Sequence, residues 1–226
     1  MLCTASVSQE LPPWFREDRA GGWVTAEYVM LPASTPQRKA WPKIGTTDSR
    51  GTEIQRMIGR CLRAAIDLTR IGPHTLTVDC QVLQADGGTR TASISAAYVA
   101  LRDAIASLPA QMPTPKQSFT GKPPARYDPS RYNPATAWVD QLAAVSVGWV
   151  EGRALLDLNY ADDSIAEVDL NIAYTAGGRF VEVQGSAENG RGFDRKQMNQ
   201  LLDLAIAGCA KIMTLQTESL AAGGSR

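Results

Sequence analysis

The chain has 226 residues, of which 44% are hydrophobic and 20% are charged, so it contains enough apolar material to bury a sizeable core. Its 23 basic residues balance 23 acidic residues, which excludes recruitment of nucleic acid or membranes by overall charge. The only histidine is His74, which excludes a multi-histidine metal site and disfavours a histidine-dependent hydrolase.

The four cysteines are far apart in the sequence, form no Cys-x-x-Cys motif and lie in apolar segments. We interpret them as reduced core residues of an intracellular protein. The longest apolar stretch, near residues 142–150, is far shorter than the ~18 residues of a membrane span, and residues 1–4 lack the basic region of a signal peptide. We therefore expect a cytoplasmic protein with no membrane partner.

The first predicted elements are a strand and a helix. Residues 22–31 alternate bulky with smaller side chains, which is typical of a β-strand. Over residues 52–68, apolar side chains recur at every third or fourth position, which predicts an amphipathic helix. Thr52 and Gln55 have the spacing of a capping box at its start.

A second strand and a second helix follow. Alternation over residues 76–82 predicts the strand, and the glycine turn at 87–91 leads into a renewed helical period. Seven of the 13 prolines then lie between Pro109 and Pro134, which excludes a helix interior. We interpret residues 109–138 as a surface insertion within a single domain over residues 1–226.

The last part of the chain predicts an antiparallel meander followed by a helix. The strands are expected at residues 142–150, 154–160, 169–174 and 180–184. Asp194 and Gln197 form a capping box at the start of the helix. Strands and helices in blocks indicate an α+β fold, with a sheet covered by helices.

Charge is unevenly distributed along this neutral chain. Residues 38–63 contain seven basic and two acidic residues, whereas residues 151–169 contain six acidic residues and one basic residue. A basic and an acidic segment in one small fold suit a site that holds phosphate on one side and a hard cation on the other. On charge alone, two solvated surfaces are the simpler interpretation.

Two predicted helix starts are candidates for binding an anion. Arg50 lies just ahead of the first helix, and Gly88-Thr89-Arg90 opens the second. Helix N-termini offer free backbone N–H groups, glycine allows close approach, and arginine matches phosphate geometry. Either position could also be an ordinary turn or a solvated side chain.

An acidic run is the candidate cation site. Residues 162–169 contain four carboxylates between two predicted strands, and these repel one another unless a cation compensates. Mg²⁺, held by one or two carboxylates and phosphate oxygens, is the natural partner. The alternative is a polar turn with exposed acids, and His74 is interpreted as a loop residue rather than a catalyst.

Five segments carry a family resemblance when they are taken together. They are Gly-Trp-Val-Thr-Ala-Glu-Tyr at 22–28, Glu-Ile-Gln-Arg-Met-Ile-Gly-Arg at 53–60, Gln-Ala-Asp-Gly-Gly-Thr-Arg-Thr-Ala at 84–92, Asp-Asp-Ser-Ile-Ala-Glu-Val-Asp-Leu-Asn at 162–171 and Glu-Val-Gln-Gly-Ser-Ala-Glu at 182–188. In this order they resemble the ribonuclease PH family.

The resemblance implies a ribosomal protein S5 domain 2-like fold with a mixed sheet covered by helices. It implies a phosphorolytic tRNA nucleotidyltransferase, an exoribonuclease that trims the 3′ ends of tRNA precursors and other RNA, including rRNA. Such an enzyme uses inorganic phosphate as co-substrate and Mg²⁺ as the divalent cation, and it releases nucleoside diphosphates. The expected assembly is a homo-hexamer, a trimer of dimers.

The resemblance also implies roles for individual residues. Phosphate binding falls to Arg50, Gly88, Thr89 and Arg90. Catalysis and metal binding fall to Asp163 and Asp169. Contacts with RNA are expected from Arg38, Arg56 and Arg60.

The sequence departs from the family pattern at its start. We expect the family's N-terminal arm and two strands to be missing, which would leave a strand at residues 1–7 as a sheet edge. Of three arginines that the family has after residue 32, only Arg38 matches, with Ala33 and Trp41 at the other positions. These departures favour an alternative, a catalytically weak or inactive RNA-binding ring subunit. A third hypothesis is an unrelated enzyme that binds a phosphorylated metabolite.

Overall fold

The computed structural model describes residues 1–15, 20–41, 48–110, 129–188 and 192–223. Within these ranges the chain forms two β-sheets and four α-helices. Most of the proline-rich insertion expected at residues 109–138 lies outside the described residues, and so does Lys43 of the basic segment.

The first sheet is mixed and has β3 at its centre. Strand β1 (Leu2–Ser8) pairs antiparallel with β3 (Thr75–Val82), and β2 (Trp23–Met30) pairs parallel with the other side of β3. Every second residue of β3 is buried, as its alternating sequence predicts. Strand β1 lies at an edge of this sheet, where the side chains of Leu2 and Val7 are exposed.

Helix α1 (Ser49–Ala64) connects the parallel strands β2 and β3 and packs against β2. Its buried apolar side chains form one stripe: Ile54, Met57, Ile58, Cys61 and Leu62. The predicted boundaries of this helix are wrong at both ends. It ends at Ala64, and residues Leu68–Arg70 form a separate 3₁₀ turn capped by Asp67.

The start of α1 is set by Asp48 rather than by Thr52. The Asp48 Oδ1 atom accepts a hydrogen bond from the Gly51 backbone N–H at 3.0 Å. This side chain therefore caps the helix four residues before Thr52, the first residue of the predicted capping box. One consequence is that Arg50 lies inside the first turn of α1 and not ahead of it.

Helix α2 (Thr89–Ala106) begins at the predicted glycine turn and contacts both sheets. It packs against β1 and β3 on one side and against β4 (Leu142–Val150) of the second sheet on the other. The hydroxyl of Ser95 binds both the backbone N–H and the carbonyl of Ala144 at 3.0 Å. Because α2 is enclosed in this way, it buries the polar residues Thr91 and Ser93 together with its apolar ones.

The second sheet is antiparallel as predicted, but the predicted meander is wrong, because its third strand in chain order pairs with the first strand and not with the second. Its order is β5-β4-β6-β7, with β5 at Arg153–Leu156, β6 at Val168–Thr175 and β7 at Phe180–Ala187. Strand β5 is shorter than predicted, because Asp157 has a φ angle of 61° and leaves the extended conformation. A short helix, α3 (Tyr160–Ile165), follows where a turn was expected.

Helix α4 (Arg195–Gly223) covers the second sheet and packs mainly on β4. The predicted capping box is confirmed: Gln197 N–H donates to Asp194 Oδ1 at 2.8 Å, and Asp194 N–H donates to Gln197 Oε1 at 2.9 Å. The α+β class is thus confirmed, with the strands divided between a mixed sheet and an antiparallel sheet.

The cysteines have the predicted character of unbridged, largely buried residues. All four are free thiols; Cys61, Cys80 and Cys209 are buried, and Cys3 is half-buried. Burial is the main cause that raises the pKa of Cys61 to about 12 and that of Cys209 to about 11. Among the described residues, no helix combines the length and apolar character needed to cross a membrane.

The single histidine has a structural environment. His74 is buried, and its Nδ1 atom lies 2.7 Å from the carbonyl oxygen of Ile71. This places it in the connection that leads into β3, as a loop residue.

We predict that Asp48→Ala lowers the free energy of unfolding by about 1 kcal/mol, because it removes the acceptor that caps α1. Chemical denaturation measures this difference. Thr52→Ala is the matched control: Thr52 is exposed within the helix, so its replacement leaves stability nearly unchanged. A larger loss for Thr52→Ala than for Asp48→Ala would contradict this account of the helix start.

Candidate active site

The turn that precedes α2 requires glycine for two reasons. Gly87 and Gly88 have φ angles of 72° and 55°, in the left-handed region. In addition, a Cβ atom at Gly87 would collide with the backbone oxygen of Leu158. The turn can therefore lie directly against the segment that leads into α3. It leaves the first N–H groups of α2 without intrahelical acceptors, as at any helix start.

One side chain attaches the acidic helix α3 to this glycine turn, and a second caps the helix itself. Asp86 Oδ1 accepts a hydrogen bond from the Tyr160 backbone N–H at 2.9 Å. Asn159 caps α3, since its Oδ1 accepts from the Asp162 backbone N–H at 2.9 Å. The start of α2 and the start of α3 are consequently neighbours, although 71 residues separate Thr89 from Tyr160.

The acidic run is divided between a helix and a strand. Asp162 and Asp163 lie in the first turn of α3, whereas Asp169 lies on β6. The predicted single turn between two strands is therefore wrong, because the Asn159 cap makes part of it helical. Asp163 and Asp169 nevertheless remain close enough to interact electrostatically.

Asp169 has the most perturbed carboxyl group among the described residues. Its burial raises its pKa to about 6, and the negative charges of Asp163 and Glu188 act in the same direction. The cation of Arg90 acts in the opposite direction. Arg90 at the start of α2 thus belongs to the same electrostatic cluster as the two aspartates.

The buried residue Tyr28 on β2 connects the two candidate phosphate-binding positions. Its hydroxyl lies 2.9 Å from Thr89 Oγ1. Burial raises the pKa of Tyr28, while the hydrogen bond to Thr89 and the positive charges of Arg50 and Arg90 counteract the rise. The two arginines therefore both lie near one phenol, although they start from different helices.

Arg90 is held by a carboxylate of α1. Its Nη2 atom lies 3.3 Å from Glu53 Oε2. The other oxygen of Glu53, Oε1, accepts a hydrogen bond of 2.7 Å from Gln184 Nε2 on β7. This network joins α1, α2 and the second sheet beside the candidate phosphate site.

The three arginines expected to contact RNA have different surroundings. Arg38 and Arg56 are exposed. Arg60 forms a two-pronged contact with Glu182 of β7, with Nε–Oε2 at 2.9 Å and Nη2–Oε1 at 3.0 Å. Arg60 therefore ties α1 to the second sheet, and its contact with RNA stays a prediction.

Sequence reasoning missed three residues of this cluster: Tyr28, Glu53 and Gln184. All three lie within segments that carried the family resemblance, but no local pattern shows that they meet. With them, the cluster combines two arginines, a glycine-led helix start and two interacting carboxylates. Such an arrangement defines a class of site that handles phosphate groups.

Comparison with known proteins specifies this class. Residues 1–106 match domain 1 of the 3′ exoribonuclease family, and residues 140–208 match domain 2. A ribonuclease PH from Nocardia farcinica is 47% identical over 222 residues, which cover 98% of this chain and 79% of that protein. One from Rhodopirellula baltica is 47% identical over 220 residues, which cover 97% and 83%. The chain therefore belongs to the ribonuclease PH family of 3′ exoribonucleases.

Two solved structures share the fold. The crystal structure of rice (Oryza sativa) Rrp46 aligns with a TM-score of 0.66 and 14% identity, and covers 96% of this chain and 83% of that chain. A chain of the Archaeoglobus fulgidus exosome with RNA bound to the active site aligns with a TM-score of 0.64 and 21% identity, and covers 93% and 76%. At these identities the likeness concerns the fold, and it confirms the ribosomal protein S5 domain 2-like type.

We predict that Asp169→Asn raises the melting temperature at pH 7.5 in a buffer without divalent cations. The ordinary pKa of 3.8 is raised to about 6 in the folded protein, so the charged carboxylate destabilises the fold above pH 6. The gain should shrink as the pH falls from 6 towards 3.8, because the wild-type carboxyl group becomes protonated. Asp162→Asn is the control for replacing an acid in the same segment. A gain for Asp169→Asn that does not depend on pH would contradict the electrostatic cause.

Proposed function

We propose that this protein is a phosphate-dependent 3′ to 5′ exoribonuclease that shortens RNA, tRNA precursors in particular, and releases nucleoside diphosphates. Membership of the ribonuclease PH family over nearly the whole chain supports this function. The observation that carries it is the position of Arg90. This residue lies with Arg50 near the Tyr28 hydroxyl, and its positive charge also opposes the rise in the pKa of Asp169.

In this proposal, phosphate binds at the start of α2. Arg90 and Arg50 contribute guanidinium groups, which match phosphate oxygens in geometry and charge. Gly88 and Thr89 contribute free backbone N–H groups at the helix start. Tyr28 keeps the Thr89 side chain in place through the 2.9 Å contact between their oxygens.

The reaction is an in-line displacement at phosphorus. An oxygen of bound hydrogen phosphate attacks the phosphorus of the last phosphodiester, and the bond from phosphorus to the 3′ oxygen of the preceding ribose breaks. That 3′ oxygen takes up the proton that hydrogen phosphate gives up. The products are RNA shortened by one nucleotide and a nucleoside diphosphate. Arg50 and Arg90 neutralise the negative oxygens, so the chain needs little acid–base machinery.

Asp163 and Asp169 have the chemistry of a site for a divalent cation such as Mg²⁺. They are interacting carboxylates: burial first, and then the negative charge of Asp163, raise the pKa of Asp169, and a cation would oppose both effects. Within the described ranges, no three His, Cys, Asp or Glu side chains are grouped to hold a metal. A cation held by these two aspartates would take its other ligands from water and phosphate oxygens. When bound, it would neutralise charge on the RNA phosphate.

We assign the RNA path to the basic surface of α1 and the loop before it. Arg38 and Arg56 are exposed and available to RNA phosphates. Arg60 would contact RNA beside its carboxylate partner Glu182. These contacts hold the strand without reading its sequence, which suits an enzyme that removes successive nucleotides.

We further propose that the protein acts in the cytoplasm as a homo-hexamer, a trimer of dimers, with residues 1–226 forming one ribonuclease PH-like domain. The contacts of α2 with both sheets support a single unit. Membership of the ribonuclease PH family supports the assembly, and the exposed side chains of Trp14, Trp41 and Tyr160 are candidates for its contacts.

The mechanism requires inorganic phosphate. With a 3′-tailed RNA and Mg²⁺, we expect product formation to depend on added phosphate and to yield nucleoside diphosphates, separated by chromatography. Equal release of nucleoside monophosphates without phosphate would show a hydrolase and contradict the proposal. RNA binding and ring assembly without any product would instead support the inactive-subunit alternative.

The proposed phosphate-binding residues and the proposed metal-binding aspartates should respond differently to substitution. Arg90→Ala should weaken phosphate binding about tenfold or more, because it removes a charge-assisted hydrogen-bond donor. Asp163→Asn should leave phosphate binding intact but lower turnover by roughly 10²-fold or more, as expected for loss of an electrostatic group. Calorimetry with phosphate and single-turnover assays separate the effects. Normal turnover of Asp163→Asn at unchanged Mg²⁺ demand would remove Asp163 from the site.

A further inference from the structure

Glu53 lies one helical turn after Arg50 and contacts two other elements of the cluster. Its Oε2 atom is 3.3 Å from Arg90 Nη2, and its Oε1 atom accepts a hydrogen bond from Gln184 Nε2 at 2.7 Å. The two carboxylate oxygens therefore have different partners. One partner lies at the start of α2 and the other on the central part of β7.

The Gln184 contact restricts how Glu53 can be oriented. Only the amide nitrogen of Gln184 can donate to a carboxylate, so the Gln184 side chain has one allowed orientation. Its amide oxygen is buried and has no hydrogen-bond partner among the described residues. The amide thus makes its 2.7 Å bond to Glu53 while its oxygen remains unsatisfied. This arrangement costs stability and favours a role in placing Glu53.

The Glu53–Arg90 pair is poorly explained as a source of stability. The side chains are 41% and 25% exposed, so solvent screens their attraction and the net stabilisation is small. A carboxylate beside an anion site also opposes the entry of phosphate. An acid at this position can instead fix the orientation of the Arg90 guanidinium group. One guanidinium nitrogen contacts Glu53, and the other N–H groups remain free to bind a ligand.

We propose that Glu53 is a positioning residue that holds the Arg90 guanidinium in its phosphate-binding orientation at the start of α2. This inference rests on the proposed function, because it assigns Arg90 to phosphate. Gln184 fixes Glu53 from the second sheet. In that sheet, Asn171 pairs with Gln184 and Asp169 pairs with Ser186. Strand β7 therefore both contacts Glu53, through Gln184, and lies beside Asp169.

Glu182 provides a matched control within the same pair of elements. It forms an ion pair between α1 and β7, as the Glu53 network does, but its partner is Arg60 rather than Arg90. Glu182 and Gln184 are two residues apart on β7, so they project to the same face of the strand. Glu182→Gln therefore weakens the attachment of α1 to β7 without removing a contact of Arg90.

The test is a double-mutant cycle on the binding of inorganic phosphate, measured by calorimetry. Arg90→Ala is made in the wild-type, Glu53→Gln and Glu182→Gln backgrounds. We expect it to weaken phosphate binding about tenfold or more in the wild-type and Glu182→Gln backgrounds, and less than about threefold in the Glu53→Gln background. Without Glu53, Arg90 no longer points at phosphate, so its removal loses little.

A kinetic measurement separates positioning from a structural role. We expect Glu53→Gln to lower kcat by about tenfold with little change in the KM for phosphate, since loss of the nearby negative charge offsets loss of the arginine's orientation. Gln184→Met removes the amide donor and the unsatisfied oxygen. In this background, as in Glu53→Gln, we expect Arg90→Ala to weaken phosphate binding less than it does in the wild type. It serves in place of Glu53→Gln if that variant does not fold.

The outcomes distinguish this inference from the proposed function. An Arg90→Ala effect of equal size in the wild-type, Glu53→Gln and Gln184→Met backgrounds would overturn the positioning role, even in an enzyme that is fully phosphorolytic. If Arg90→Ala weakens phosphate binding less in the Glu53→Gln background than in the wild type, the positioning role is supported. If that protein also forms no nucleoside diphosphate from RNA, the enzymatic proposal is overturned.

Discussion

The close approach of Gly87 to the backbone of Leu158 sets the geometry on which the cluster depends. Without a side chain at Gly87, the turn into α2 lies against the segment that leads into α3. Arg90 and Asp163 are carried by these two helices, so their separation follows from this contact. A larger residue would force the segments apart and weaken the electrostatic link between Arg90 and the aspartates.

Periodicity predicted the long elements well, because their patterns are set by burial. The alternation in β3 and the apolar stripe of α1 match the buried faces that the structure shows. The errors lie where single side chains decide the outcome. Asp48 starts α1 early, and the left-handed conformation at Asp157 ends β5. Helix α3 has only six residues, too few for a periodic pattern to reveal it.

The candidate site could be predicted only in part, for a different reason. Arg50, Arg90, Asp163 and Asp169 have chemistry that local sequence displays, and the family resemblance identified them. Tyr28, Glu53 and Gln184 are ordinary strand and helix residues until the chain folds. The Tyr28–Thr89 contact spans 61 positions and the Glu53–Gln184 contact spans 131. Local sequence patterns extend over far fewer residues, so they cannot reveal either contact. Tertiary structure supplies that information.

The central place of β3 in the first sheet has a consequence for how the chain folds during synthesis. Its neighbours β1 and β2 are both made earlier, and the Ser6–Thr77 contact spans 71 positions. At roughly 5–20 residues per second, a ribosome needs about 4–14 s to make that stretch. During this interval α1 can form from local contacts, but β1 and β2 have no strand between them. Neither strand pairing of this sheet can therefore form before β3 arrives.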